Sequence, residues 1–440
     1  MNRISKIFQP MVIIPKNAVI KKQEVSSRSQ RLMTELGLIR PATNGTFYLL
    51  PLVQRSVDKL VAIVDAHMKQ IDAQKVTLPI LTPGDLWKKS GRLTGTVNRE
   101  IMTTIDRHEN LQVLSPTNEE SITSLMASLS PISYKQLPLR FYQIGTKFRD
   151  EMKPRFGLIR TKEFLMKDLY TFDGNDTNAL DTYHEVCGIY ERMLRNIGLG
   201  NFAKVQGDSG LMGGSLSHEY HLPATVGDDT LATCEKCGHS VNVEAIPEGK
   251  RESCTKCGEG GAIRLTEGIE VAHTFLLGDK YSNPLKATYL QEHGLTEPLA
   301  MGCFGVGITR LVAAAIEVLS TDTDIRWPRR LAPFTVCLIP PKSGSKEDKC
   351  GGSALAESLY SKVIELPGLH DDAILDDRNH LTIGKRLLLA KRMGYPFVIV
   401  IGSRVVEDPP TLELHLIESG QTMELSPNDI VTELRKHLGA

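Results

Sequence analysis

Residues 148–168, FRDEMKPRFGLIRTKEFLMKD, set six basic and four acidic side chains into twenty-one positions. Such a density of opposed charge has two physical readings. One is a solvated, salt-bridged ribbon, whose exposed ion pairs contribute little. The other is a clamp for a ligand that is itself highly charged. If FYQIGTKFRDE and EFLMKDLYTF are antiparallel strands, Arg149 and Glu151 point to one face, and Phe164, Met166 and Asp168 also share one. Lys153, Arg155 and Arg160 hang over that sheet in the intervening loop. A guanidinium that forks onto phosphate, a carboxylate that accepts from an exocyclic amine and a ring that stacks on a base together suit a nucleotide. Strand geometry gives the face-sharing but not the ligand, so both readings stand on these residues alone.

Two further patterns carry chemistry. Gly302, Gly305 and Gly307 precede Arg310 and a long apolar helix. The spacing is neither GxGxxG nor GxxxxGK[ST], which argues against Rossmann and P-loop sites. Glycines there let a ligand approach the strand backbone, with Arg310 over the same pocket; the alternative is tight strand–helix packing. CEKC and CTKC place Cys234, Cys237, Cys254 and Cys257 at zinc-ribbon spacing, which predicts a closed tetrahedral site without an open catalytic position. The alternative is a reduced, exposed loop. Cys187, Cys303 and Cys337 sit in apolar contexts and read as small buried residues.

The elements that must position these groups follow from periodicity. Helical spacing dominates from about 26 to 130, in SRSQRLMTELGLI and LVQRSVDKLVAIVDAHMKQIDA, with a strand-like KVTLPIL around Pro79. Residues 139–172 read as two strands, and DTYHEVCGIYERMLRNIGLG as a helix stopped at Gly198 or Gly200. Residues 228–268 form a polar, Cys- and Gly-rich island without periodicity. Past a boundary near RWPRRLAP (326–333), strands and helices alternate, which predicts a compact α/β domain with a largely covered sheet.

At 440 residues the chain exceeds one small core, and two or three domains are expected. No apolar run approaches the ~20 residues needed to span a bilayer, and no membrane partner is expected. The net charge of zero hides an asymmetry: residues 1–31 hold seven Lys/Arg and a single acid, Glu24. That acid-poor, Ser-dotted leader reads as a mitochondrial targeting segment; the alternative is a basic arm that stays on the protein. Four cysteines in CxxC pairs suit metal in a reducing compartment better than a disulfide framework.

Taken together, FRDE, the EF that follows the loop, and GxGxxR before a helix resemble the signature motifs of class II aminoacyl-tRNA synthetases. More narrowly, LSPTNEE (114–120), residues 147–172, DSGLMGGSLSHEY (208–220), GIEVAHTFLLGDKYS (268–282) and GCFGVGITR (302–310) resemble the prolyl-tRNA synthetase family. With the basic leader, CLIPPKSGSKE and LDDRNHLTIGKRL, the chain is similar to its mitochondrial members from about residue 30 to near the C-terminus. The resemblance implies an α+β class II catalytic domain, an antiparallel sheet flanked by helices, over 32–330. The Cys-rich insertion lies within it, and an α/β anticodon-binding domain follows over 333–440. It implies activation of proline by ATP with Mg2+, transfer to tRNA(Pro) in the mitochondrial matrix, and a homodimer. Carried over by motif, Arg149 clamps the α-phosphate, Glu151 takes the adenine amino group, Phe164 stacks on the adenine and Arg310 meets the γ-phosphate. Arg160 belongs to the same ATP set. Thr117 and Glu119 receive the proline ammonium, and Arg149, Met166, Asp168 and His273 complete the proline pocket. Arg378 and Lys385 become candidates for anticodon contact, although from the sequence alone a solvated helix face is the favoured reading.

There are departures from the family pattern. Bacterial-type members often carry a large hydrolytic editing domain between the second and third motifs, but only 129 residues separate Phe172 from Gly302. The usual GHIF stands here as Ala272-His273-Thr274-Phe275. Another class II synthetase, seryl or threonyl, is disfavoured by the combination of PTNEE and GIEVAHTF. The rival from another class is a synthetase-like binding subunit without catalysis. Such a protein has no need of Arg149, Glu151, Phe164 and Arg310, all of which are present.

Overall fold

The computed structural model describes residues 2–11, 27–93, 100–246, 253–258 and 263–438. Residues 12–26, the middle of the basic leader, lie outside the described residues. The chain forms two compact units: residues 41–47 with 60–318, and residues 1–40 with 48–59 and 319–440.

The first unit is built on a nine-stranded sheet. In chain order its strands are β1 (Gln74–Lys75), β2 (Leu139–Phe148), β3 (Glu163–Asp173), β4 (Ala203–Gln206), β5 (Leu216–Pro223), β6 (Asp229–Cys234), β7 (Ser240–Asn242), β8 (Ile263–Gly278) and β9 (Ala300–Gly307). The centre runs β8–β9–β3–β2, antiparallel throughout, as the charged hairpin predicts. Because β8 is sixteen residues long, it pairs with β6 along its first part and with β5 further on. One face of the sheet is covered by α1 (Asp176–Ile197), whose Tyr183, Val186, Ile189, Tyr190, Met193 and Leu194 are buried at helical spacing. Gly198, at φ 104°, ends this helix in the left-handed conformation that a side chain disfavours. The strand β9 leads directly into α2 (Ile308–Leu319), in which every residue through Glu317 except Arg310 is buried.

One expectation needs correction. Residues 72–118 are not helix-dominated: Leu81–Pro83, Met102–Ile105 and Leu111–Leu114 form a small antiparallel sheet. Its hairpin turns where the Asp106 carboxylate accepts from the backbone N–H groups of His108 (2.8 Å) and Asn110 (2.9 Å), an Asx turn that helical periodicity does not register. The cysteine-rich island, without periodicity in the sequence, supplies β6 and β7 to the main sheet.

In the second unit, β10 (Val336–Ile339), β11 (Ala373–Leu375), β12 (Phe397–Val400), β13 (Leu412–Leu416) and β14 (Gln421–Leu425) form a sheet in the order β11–β10–β12–β13–β14. The first three are parallel and the last two antiparallel. Helices α3 (Gly352–Ile364), α4 (Ile383–Met393) and α5 (Pro427–Leu438) complete it. Leu359, Val363, Ile399, Leu414, Ile430 and Leu434 share its core, the covered α/β sheet that the strand–helix alternation predicts.

Candidate active site

The pleat of β3 and β9 assembles the site. Along β9, odd residues Cys303, Gly305 and Gly307 face a cavity of about 480 Å³, and along β3 Phe164, Met166 and Asp168 do the same. The glycine motif therefore splits. A Cβ on Gly302, on the opposite face, would lie 2.7 Å from the Phe304 ring and 2.8 Å from Thr171 Oγ1, so this glycine serves packing. A Cβ on Gly305 would meet the Met166 side chain at ordinary contact distance, its sulfur at 3.7 Å and its methyl carbon at 3.9 Å. Gly305 and Gly307 keep the cavity floor open.

The charged stretch divides in the same way. The strand β2 stops at Phe148, so the pleat does not carry Arg149 and Glu151 together. Arg149 lines the cavity with its guanidinium carbon 5.1 Å from the Phe164 ring centroid. Burial and the nearby Arg310 cation lower its pKa, the signature of a positive site awaiting an anion. Glu151 instead pairs with Arg160 at 2.9 Å, and Arg160 also reaches Asp228 at 2.8 Å. Neither Glu151 nor Arg160 lines the cavity. Arg155 joins Asp228, and Lys162 pairs with Asp150 at 2.8 Å. Lys167 lies buried behind the sheet, bonded to Tyr190 and to the Phe304 carbonyl (3.0 Å), with burial lowering its pKa to about 7. Clamp and salt-bridged ribbon are thus both present, on different residues of one stretch.

Arg310 donates to the Ile159 carbonyl (2.8 Å) and to Glu270, whose carboxylate lies 3.0 Å away. Glu270 in turn accepts from His273 Nδ1 (2.9 Å), while His273 Nε2 meets the Ser217 hydroxyl at 2.6 Å and the ring stacks on Phe275 at 3.9 Å. Burial raises the Glu270 pKa, but His273 and Arg310 outweigh it and hold the carboxyl well below its usual range. In an unbroken strand, residues three apart face opposite sides. A register shift opposite Tyr220/His221 turns Glu270 to the side of His273, and it is why strand period alone missed Glu270.

At the far wall, Thr117 and Glu119 are hydrogen-bonded to each other at the start of helix Glu119–Leu129. Arg92, itself buried, donates to Thr117 Oγ1 (3.1 Å) and Glu119 (3.0 Å) and pairs with Glu120 at 3.3 Å. Cys303 donates its thiol to the other oxygen of Glu119 at 2.9 Å. Asp168 is ringed by Lys147 (2.9 Å), Gln143 (3.0 Å) and Tyr170 (2.9 Å), which partly offset the upward push of burial on its pKa. Arg92, Glu219, Asp229, Asn242 and Glu270 also line the cavity. Of these, sequence reasoning had a usable signal only for Glu219 and Glu270, which lie inside the quoted SHEY and GIEV motifs.

Residues 102–319 match the family described as tRNA synthetase class II core domain (G, H, P, S and T), and 336–437 match an anticodon binding domain. The chain is 44% identical, over 97% of its length and 90% of theirs, to the probable mitochondrial proline–tRNA ligases of Rattus norvegicus and Homo sapiens. It belongs to the proline–tRNA ligase family. A Schizosaccharomyces pombe relative of the same description is 36% identical over 93% of this chain. The fold agrees with that of prolyl-tRNA synthetase from Cryptosporidium parvum, solved with halofuginone and AMPPNP (TM-score 0.75, 16% identity, 93% of this chain and 76% of that one). The proline–tRNA ligase of Maridesulfovibrio salexigens is 31% identical over an alignment of 549 residues that takes in 90% of this chain and 92% of that one, so it has residues without a counterpart among the 440 here.

Away from the cavity, the four cysteine sulfurs of the ligase lie within 4.8 Å of one another, with Cys234–Cys257 at 3.8 Å and Cys237–Cys254 at 3.6 Å. Each CxxC turns identically: Gly238 N–H returns to the Cys234 carbonyl and Gly258 N–H to that of Cys254, both at 2.9 Å. In the anticodon-binding unit, Arg378 forks onto buried Asp376 at 2.8 and 2.6 Å, Arg386 is fully buried, and Lys385 is exposed at the start of α4. Among the described residues no helix is long and apolar enough to cross a membrane.

Proposed function

We propose that the chain activates proline with ATP to prolyl-adenylate and diphosphate, then transfers the prolyl group to tRNA(Pro) for translation in the mitochondrial matrix. The observation that carries this reading is the convergence of Arg149, Phe164, Arg310, Thr117, Glu119 and His273 in one cavity, within a family of proline–tRNA ligases. The proline carboxylate is already ionised and attacks the α-phosphorus in line. The new O–P bond forms as the bond to the departing diphosphate breaks, so the chain's task is positioning and charge neutralisation. Arg149 holds the α-phosphate, Phe164 one face of the adenine, and Arg310 the γ-phosphate. Thr117 and Glu119 take the prolyl ammonium, with Arg92 holding the Glu119 carboxylate in place; Met166, Asp168 and His273 shape the ring pocket. For Glu151 and Arg160 the same scheme requires their ion pair to yield to the nucleotide. Mg2+ accompanying ATP supplies further neutralisation, and the cavity carboxylates Glu219 and Glu270 offer it hard oxygen ligands.

The cysteine quartet fits structural zinc. Four thiolates around a tetrahedral ion with Zn–S of about 2.3 Å stand about 3.8 Å apart, the spacing of the two sulfur pairs above. Such an ion would pin β6 and β7 against β8. Exposed Lys385 and the Arg378 loop are the proposed anticodon contacts, and a homodimer is the proposed assembly. Without an inserted editing domain, the enzyme leaves alanyl-tRNA(Pro) intact, and rapid deacylation by purified protein would refute that.

Amino-acid-dependent ATP–diphosphate exchange tests the reading, with proline, serine, threonine and alanine as substrates. Exchange with proline, lost in Arg149→Ala, supports it. Folded protein that exchanges with none of them would turn the reading to a non-catalytic tRNA- or protein-binding subunit.

A further inference from the structure

The first residues of the basic leader are built into the second unit. Asn2 accepts from the Leu375 N–H at 3.0 Å, and Arg3 forms a parallel bridge with Leu375, extending the free edge of β11. Asn2 N–H donates to Tyr360 Oη (2.8 Å), and its side-chain amide reaches Asp371 (2.9 Å) and the Ala373 carbonyl (3.2 Å). Arg3 pairs with Glu357 at 2.8 Å, and Ile4 is buried. Ser5 places both its N–H (2.9 Å) and its hydroxyl (2.5 Å) on the Asp377 carboxylate, which these bonds hold below its usual pKa against the opposing effect of burial. Further on, Gln9 donates to the Leu36 carbonyl (2.9 Å) and Arg40 to that of Pro10. Of the leader's cations, Arg3, Arg28 and Arg31 are all engaged with acids of this same unit.

We infer that residues 2–11 are a permanent strap which, through Ser5 and the edge of β11, holds the Asp376–Thr382 loop in position for tRNA. Asp377 lies between Asp376 and Arg378, and the loop ends at Thr382, whose hydroxyl accepts from the Lys385 N–H at 3.3 Å and caps α4. Freeing Asp377 loosens both proposed contacts together. The inference rests on the anticodon reading of Arg378 and Lys385. It also follows that an organellar address in this stretch is read without being removed, since a cut after residue 11 would take the strap away.

The test compares the full chain with a variant lacking residues 2–11, with Ser5→Asp, which sets a carboxylate against Asp377, and with Ser5→Thr, which keeps the hydroxyl. Three quantities are read: amide hydrogen exchange of residues 374–385, KM for tRNA in aminoacylation, and proline-dependent ATP–diphosphate exchange. Two bonds to a carboxylate predict exchange in that segment about tenfold faster or more for the deletion and for Ser5→Asp. KM for tRNA rises several-fold with diphosphate exchange unchanged, and Ser5→Thr behaves as the full chain does. Unchanged protection of residues 374–385 in both disrupted variants would overturn the strap. Faster exchange with an unchanged KM would support the strap and overturn the anticodon reading instead. Protein recovered from mitochondria with an N-terminus beyond residue 11 would also overturn permanence.

Discussion

The guanidinium of Arg149 lies over the Phe164 ring, 5.1 Å from its centroid, and so occupies one face of the aromatic surface on which a base would stack. On the proposed reading the other face takes the adenine and the cation takes the α-phosphate. Arg149→Ala should therefore lose both charge and ring orientation. Proline-dependent diphosphate exchange is expected to fall on the order of 10²–10³-fold, as when a buried charge-stabilising donor is removed. Arg149→Lys should not restore it, because an ammonium cannot fork onto phosphate. Phe164→Ala should raise KM for ATP about tenfold, and Phe164→Tyr should leave it nearly unchanged.

Gly302 and Gly305 separate the packing and ligand roles that the sequence left open. A methyl group on Gly302 would collide with Phe304 and Thr171. Gly302→Ala should thus cost about 1–3 kcal/mol and lower Tm by several degrees, with KM for ATP unmoved. Gly305→Val should melt near the wild type but project into the cavity, raising KM for ATP about tenfold or more. Thermal melts beside exchange kinetics decide this, and a Gly305→Val enzyme with normal KM would remove Gly305 from the nucleotide floor.

Much of this architecture was readable because it depends on local period. The hairpin around residues 148–168, the Gly198 stop and the passage from glycine strand to apolar helix need only alternation, helical spacing and turn chemistry. The site was half readable. Phe164, Met166 and Asp168 follow from the pleat, but Arg149 and Glu151 part company because β2 ends one residue earlier. Glu270 joins His273 only through a bulge set by the partner strand, and Arg92 reaches Glu119 from 27 positions away in the chain. Neither relation leaves a trace in spacing. The signature motifs supplied the ligand, which strand geometry could not.

The cysteine quartet gives a prediction about metal. Protein purified without chelator should hold about one zinc per chain, since both the C-x2-C spacing and the sulfur separations match a closed tetrahedral site. Cys254→Ser should reduce that to clearly substoichiometric zinc and lower Tm. Because β6 and β7 pair into the same sheet as β8, proline-dependent exchange should fall as well, though less than in Arg149→Ala. Stoichiometric zinc retained in Cys254→Ser would place the metal elsewhere.

The last prediction concerns His221, which is fully buried with three acids around it: Glu219 at 2.8 Å, Asp229 at 3.8 Å, and Glu270 acting through its charge. Burial alone would lower its pKa, but these carboxylates outweigh burial and raise it above 6.5. Asp229 is itself pushed up to about 6, by burial and by Glu270. A base whose pKa is raised on folding binds its proton more tightly in the folded state. Its stabilisation is complete below the unfolded value near 6.5 and is lost as pH rises through the folded value. Wild-type Tm should consequently fall from about pH 6.5 upward relative to His221→Gln, which can still donate to Glu219 but does not titrate. Melting curves from pH 6 to 9 read the difference directly. A wild-type Tm that rises from pH 6 to about 7.5 relative to His221→Gln would show that His221 is neutral in the fold, and parallel profiles would show that folding does not move its pKa; either outcome overturns the prediction.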